Sequence, residues 1–171
     1  MAYAEDPAYC EVCGERLVLR EQPEDGPQPW CPRCEAWRYP HFSVGVSMIV
    51  YHPDGERILT IDQYGKHGIL VAGYVARGDD LESTVRREVR EETGLELATV
   101  TYNASSFFSP SNTLMVNFVC RAKGSDVHPN EGEVDSAHWV DAHEVLGAMP
   151  EGSLARWFVQ RHLESQGWGK L

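Results

Sequence analysis

From Phe42 onward, short apolar runs alternate with turn formers. Residues 43–51 (SVGVSMIVY) predict a strand, His52-Pro53-Asp54-Gly55 a turn, and residues 57–63 (RILTIDQ) the strand that returns as a hairpin. Residues 69–75 predict another extended run, interrupted at Gly73. Residues 80–93 predict a helix, with Asp79 or Asp80 able to cap its start and Gly94 placed as its C-terminal glycine. Strands are predicted at 98–108, 113–120 and 137–140, a short helix at 143–149 and an amphipathic helix at 153–166. Strands and helices mix without strict alternation. Residues 1–39 read differently. They are rich in turn formers (Pro7, Gly14, Pro23, Gly26, Pro27, Pro29, Pro32) and nearly free of apolar periodicity. Such a segment needs a staple in place of a core. The expected organisation is an appendage over 1–39 and a core domain over 40–171.

Composition narrows the class. The chain has 171 residues, with 15 Lys plus Arg against 26 Asp plus Glu, a net charge of −11. That charge repels phosphate backbones, so nucleic acid is not an expected partner. No apolar run approaches the roughly 18 residues of a membrane span. Met1 to Tyr9 has no basic start and no apolar stretch, so a cytoplasmic, reducing compartment is expected.

Four of the five cysteines form two pairs, Cys10-Glu11-Val12-Cys13 and Cys31-Pro32-Arg33-Cys34, with 17 residues between Cys13 and Cys31. Two such knuckles give the four-sulfur shell that Zn²⁺ prefers, at the spacing of a zinc ribbon. Four sulfurs leave no open position, so this Zn²⁺ is structural. Disulfides or unligated thiols are the alternative. Glu11, Glu15, Glu21, Glu24 and Asp25 argue against nucleic-acid docking through the ribbon. Cys120, in an apolar run, is expected to be a buried small hydrophobe.

The helix over 80–93 carries carboxylates where a core stripe belongs. At about 100° per residue, Leu81, Val85 and Val89 form the stripe, Glu92 falls within it, Glu88 on its border and Glu91 one step further. Arg86, Arg87 and Arg90 fall on the wet side. Burying an unpaired carboxylate costs several kcal/mol or more. Crowded carboxylates call for cations between them, and hard oxygen ligands suit Mg²⁺ or Mn²⁺. Ordinary ion pairs with the three arginines are the alternative.

Gly73, Asp79 and Arg87-Glu88-Val89-Arg90-Glu91-Glu92-Thr93-Gly94-Leu95 resemble the signature box of Nudix hydrolases. One fixed position departs, with Asp79 where the family usually has Glu. The resemblance implies a Nudix α/β/α sandwich with a mixed sheet, and hydrolysis of a diphosphate bridge with Mg²⁺ or Mn²⁺. It implies Glu88 and Glu92 as metal ligands, Glu91 as ligand or base, and Arg87 as the residue that orients them. Gly73 would let the loop turn tightly before the helix. The Ala72 carbonyl and Glu133, with Glu131 as the alternative, would complete the metal site.

A zinc ribbon ahead of a Nudix domain is similar to the bacterial NADH pyrophosphatases, as are Trp37-Arg38-Tyr39-Pro40, Val71-Ala72-Gly73-Tyr74, Ala137-His138-Trp139 and Gly152-Ser153-Leu154-Ala155-Arg156. Those enzymes carry a further N-terminal domain absent from this sequence. Their segment Ser-Gln-Pro-Trp-Pro-Phe-Pro-any-Ser reads here Ser105-Ser106-Phe107-Phe108-Ser109-Pro110-Ser111-Asn112-Thr113. This branch implies Tyr74, Phe108, Thr113 and Ala155 as substrate contacts, and a homodimer in which Tyr39 reaches across from a second subunit. NAD(H), cleaved to nicotinamide mononucleotide and AMP, is the favoured substrate. ADP-ribose or a nucleotide sugar stays open, as does a Nudix-fold binding or regulatory protein with little turnover.

Overall fold

The computed structural model describes residues 9–39 and 41–167. The start of the chain before Tyr9 and Pro40, both used in the sequence reading, lie outside the described residues. The chain divides into two compact units, Met1–Phe42 and Ser43–Leu171. The first holds a three-stranded antiparallel sheet in the order β1(Val18–Gln22), β2(Gly26–Cys31), β3(Ala36–Trp37). These strands were not predicted. All of β1 but its last residue is exposed, so no apolar alternation marks it. Cys10, Leu17 and Cys31 are the buried apolar residues here, with Cys13 and Cys34 packed against them.

The second unit contains a seven-stranded mixed sheet. Its main order is β10(Ser136–Asp141), β5(Arg57–Gln63), β4(Ser43–Tyr51), β9(Thr113–Ala122), β8(Leu97–Phe108); β6(Lys66–Ile69) joins β5 and β7(Val71–Tyr74) joins β4. Only β4 and β9 run parallel, Ser43 opposite Thr113 through Tyr51 opposite Arg121. The predicted hairpin forms, with a short paired stretch. β5 meets β4 only at the mouth of the turn, Tyr51 opposite Ile58, and then pairs along its length with β10. That frees Gly45–Met48 to pair with β7.

Helix α1(Leu81–Thr93) packs on one face of the sheet, over Val46, Met48, Val71, Val116 and Phe118. Helices α2(Val145–Ala148) and α3(Leu154–Ser165) cover the other, over Ile49, Ile58 and Leu70. The result is the expected α/β/α sandwich. With both faces covered, β5 has four consecutive buried residues, Ile58 to Ile61, in place of alternation. Cys120 is 1% exposed, as expected.

Candidate functional site

Asp80, not Asp79, caps α1: its carboxylate accepts from the Ser83 N–H at 2.7 Å. Gly94 closes the helix in the left-handed region at φ 73° and donates to the Arg90 carbonyl. Between the caps, Val85 and Val89 are fully buried. Glu92 lies with them at 5% exposure, Glu88 is half-buried and Glu91 is exposed. Among the described residues, Glu92 Oε2 is the buried side-chain polar atom left without a hydrogen-bond partner. Burial first, then the charges of Glu88, Glu133 and Glu91, push the Glu92 carboxyl up to about 8. Burial is also the main reason Glu88 is raised, against a lowering by Arg87.

Arg87 departs from the wet-side expectation because it bridges acids. Its guanidinium reaches Glu88 Oε1 at 2.8 Å, Glu91 Oε2 at 3.1 Å and Asp79 Oδ2 at 3.8 Å. Of the two loop glutamates, Glu133 adds its charge to the raised values of both Glu88 and Glu92. It is tied to the helix through Asn130, whose N–H donates to the Glu92 carbonyl and whose side-chain amide donates to Glu133. An orphaned, uncharged-leaning carboxyl among other acids is a donor set that a hard divalent cation fits.

The expected role of Gly73 is corrected. Gly73 sits inside β7, opposite Val46, and is not among the positive-φ glycines; Gly78 makes the turn before the helix, at φ 99°. The extended run breaks instead at Leu70, between β6 and β7. Glycine is needed at 73 for space, because a Cβ there would overlap the Glu88 carboxyl group.

Strand pleating turns Gly73 toward α1 and its neighbours Ala72 and Tyr74 to the opposite face. On that face lies a pocket of about 640 Å³. Ala72, Tyr74, Phe108 and Ala155 line it, together with Met115 and Phe158, which sequence reasoning did not single out. Ser153 caps α3 beside it, accepting from the Arg156 N–H. One predicted contact falls elsewhere. Thr113 is fully buried, and its hydroxyl is bonded to Ser111, which lines the pocket in its place. Tyr39 belongs to the first unit, where its hydroxyl meets Gln22. A larger pocket, about 860 Å³, lies along the C-terminal half of α3 by Tyr51, Arg121 and Arg161.

The four cysteines converge: all their sulfurs lie within 4.8 Å of one another, the one such group of three or more metal-ligand atoms among the described residues. Burial tends to raise the Cys10 thiol, but the N–H groups of Val12 and Cys13 and the Arg38 guanidinium, 3.2 Å away, bring it down to about 6. A tetrahedral cation fits this set. We expect one Zn²⁺ per chain by atomic absorption. Cys31→Ser, or strong chelation, should unfold the ribbon, because the ion would supply about 10 kcal/mol or more where almost no core exists. Trp30 and Trp37, packed edge to face at 4.9 Å, would report this as a red-shifted fluorescence. An unshifted spectrum after complete zinc removal would refute the staple.

The NUDIX domain family matches residues 41–158, more than half of the chain. The chain belongs to the NUDIX family. Curated relatives of this NUDIX chain include the NAD-capped RNA hydrolase NudC of Photobacterium profundum, 29% identical over 160 residues, covering 91% of this chain and 58% of that protein. The NAD-capped RNA hydrolase NUDT12 of Pongo abelii is 32% identical over 168 residues, covering 88% of this chain and 34% of that protein. The chain thus spans little more than half the length of the first and a third of the second. Among solved structures, a NUDIX hydrolase from Nitrosomonas europaea superposes with a TM-score of 0.69 at 20% identity, covering 95% of this chain and 94% of that one. The NUDIX domain of Shewanella oneidensis NrtR, solved with ADP-ribose, gives 0.63 at 15% identity, covering 80% and 94%. These likenesses agree with the sandwich architecture.

Proposed function

We propose that the chain is a cytoplasmic pyrophosphohydrolase that cleaves the diphosphate of a nucleoside diphosphate linked to another moiety, NAD(H) being the favoured substrate. The observation that carries this reading is the unpartnered, buried Glu92 carboxyl beside Glu88. In this reading Glu88 and Glu92, with Glu91, Glu133 and the Ala72 carbonyl, would hold Mg²⁺ or Mn²⁺. Bound there, the divalent cation supplies charge neutralisation for the diphosphate and a lowered pKa for attacking water. Arg87 keeps the Glu88 and Glu91 carboxylates in place by charged hydrogen bonds. Tyr74 and Phe108 offer aromatic faces for the nucleoside base. Gly73 keeps the strand close to the acids. In the same reading the ribbon zinc is structural and the enzyme is a homodimer, Tyr39 serving the pocket of a second copy.

The 105–113 segment favours keeping ADP-ribose or a nucleotide sugar as a second reading, because it lacks most of the residues of the NADH branch. The relatives named for NAD-capped RNA raise that substrate too, but a net charge of −11 opposes an RNA body. The test is a panel of NADH, NAD⁺, ADP-ribose, sugar nucleotides, dinucleoside polyphosphates and NAD-capped RNA, with Mg²⁺ and product identification. AMP and the nicotinamide mononucleotide from NADH, at the highest kcat/KM, are expected. A higher value for ADP-ribose would shift the assignment to the second reading, and no cleavage of any member would overturn the activity.

A further inference from the structure

Ser47, which lines the pocket beside Tyr74, is the end of a chain of three polar side chains that runs through the sheet to Asn117 and Asn103. Asn117, on β9, is 0% exposed, and Ser47, on β4 directly opposite it, is 5% exposed. Asn103 lies where the β8–β9 register shifts, a bulge that re-aims a side chain which regular pairing would point elsewhere.

The hydrogen bonds of this chain have one direction, fixed by a backbone carbonyl at each end. The Asn103 amide nitrogen donates to the Phe158 carbonyl at 3.2 Å and to Asn117 Oδ1 at 2.8 Å. Asn117 Nδ2 therefore faces Ser47, where it donates to the backbone carbonyl at 3.1 Å and to Oγ at 2.7 Å. A carbonyl can only accept, so neither amide can be flipped without placing oxygen against oxygen. The Ser47 hydroxyl consequently accepts from Asn117, and its own proton must go elsewhere. Among the described residues Ser47 Oγ is seen only as an acceptor, from Asn117. Ser47 lines the pocket.

Ser47 stands opposite Ala72, and Gly45 opposite Tyr74, on the same antiparallel ladder. Ser47 and Tyr74 are thus diagonal neighbours on one face, about 7–8 Å apart along the backbone. At Gly45 the strand lies under the Met115 thioether, whose sulfur would stand 2.7 Å from a Cβ there. A flat ring stacked on Tyr74 would bring its edge over Ser47. We propose that Ser47 is a specificity-determining hydrogen-bond donor, held in that role by Asn117 and Asn103, and that it recognises an acceptor nitrogen on the edge of a purine base. This rests on the pyrophosphohydrolase reading. Purine is the class named because its ring nitrogens are acceptors and because NADH and ADP-ribose share adenine.

The test measures kcat and KM for the better of NADH and ADP-ribose, and for its 1-, 3- and 7-deaza-adenine analogues, in wild type and Ser47→Ala. The variant is expected to fold, because Asn117 still donates to the backbone carbonyl of residue 47; a melting curve checks this. KM should rise about 3- to 10-fold, the size of one neutral hydrogen bond, with kcat little changed. One deaza analogue should show the same rise with wild type and no further rise with Ser47→Ala. That non-additivity is a readout that a general loosening of the floor would not give. An unchanged KM in Ser47→Ala, or equal penalties for every analogue in both proteins, would overturn the donor while leaving the hydrolase intact. Wild type inert toward the whole panel would overturn both.

Discussion

In a Glu92→Gln variant, Mg²⁺-dependent turnover should fall about 10²- to 10³-fold, the loss typical when one charge-stabilising group leaves an active site. The same variant should melt higher than wild type in magnesium-free buffer. Both effects follow from one carboxyl. Glu92 is buried, its Oε2 has no partner, and three other glutamates add to its burden. An amide has nearly the same shape and no charge to bury.

The pH dependence has a definite sign. The carboxyl titrates near 4.5 in an unfolded chain and at about 8 here. A group whose pKa is raised by folding stabilises the fold below the unfolded value, and that contribution disappears as pH climbs through the folded value. Metal-free wild type should therefore lose melting temperature between pH 5 and pH 8.5, by about 3–10 °C for a cost on the order of 1–3 kcal/mol. Glu92→Gln should show a flatter profile, and Mg²⁺ should narrow the gap at high pH. Turnover equal to wild type, or a variant that melts well below it at pH 8.5, would contradict this account.

Gly73→Ala should be nearly as damaging to turnover, with little cost to the fold. The backbone there is ordinary strand, so alanine meets no φ strain. Its Cβ would overlap the Glu88 carboxyl and push it from its place beside Arg87. A displacement of about 1 Å in a reacting geometry costs about 10²-fold. Gly78→Ala makes the contrast: its φ of 99° strains any L side chain, but nothing lies within 4 Å of the added carbon. It should cost stability and leave kcat almost unchanged. The two variants, compared by melting temperature and kcat, separate space from conformation. A Gly73→Ala enzyme with wild-type kcat would refute the steric role.

Much of this architecture was legible wherever local pattern and tertiary need agreed. The strands Ser43–Tyr51 and Arg57–Gln63 and the capped helix Leu81–Thr93 followed from apolar runs, a turn and two cap residues. The misplaced carboxylates were visible as a conflict within one helix face. Pairing was not legible, because a strand's neighbours are not written in its own residues: β5 reads as the second arm of a hairpin whether it pairs with β4 or with β10. The ribbon strands escaped because exposed residues carry no period. Arg87 was placed in solvent by its angle on the helix, but a long side chain can bend back to three acids. Glycine at 73 was visible and its reason was not, since the obstacle belongs to a side chain 15 positions later. Ser47, Asn117 and Asn103 gave no signal at all; what joins them is the register of three strands.

Strand β7 separates two evolutionary freedoms. Gly73 is hemmed in by the Glu88 carboxyl on one side, while Ala72 and Tyr74 line the pocket on the other. On the function proposed above, positions 74 and 47 can change without disturbing the carboxylates on the far face. An inserted residue within this short ribbon of backbone would swap the two sets at a stroke, so lineages are free to vary its even positions but not its length.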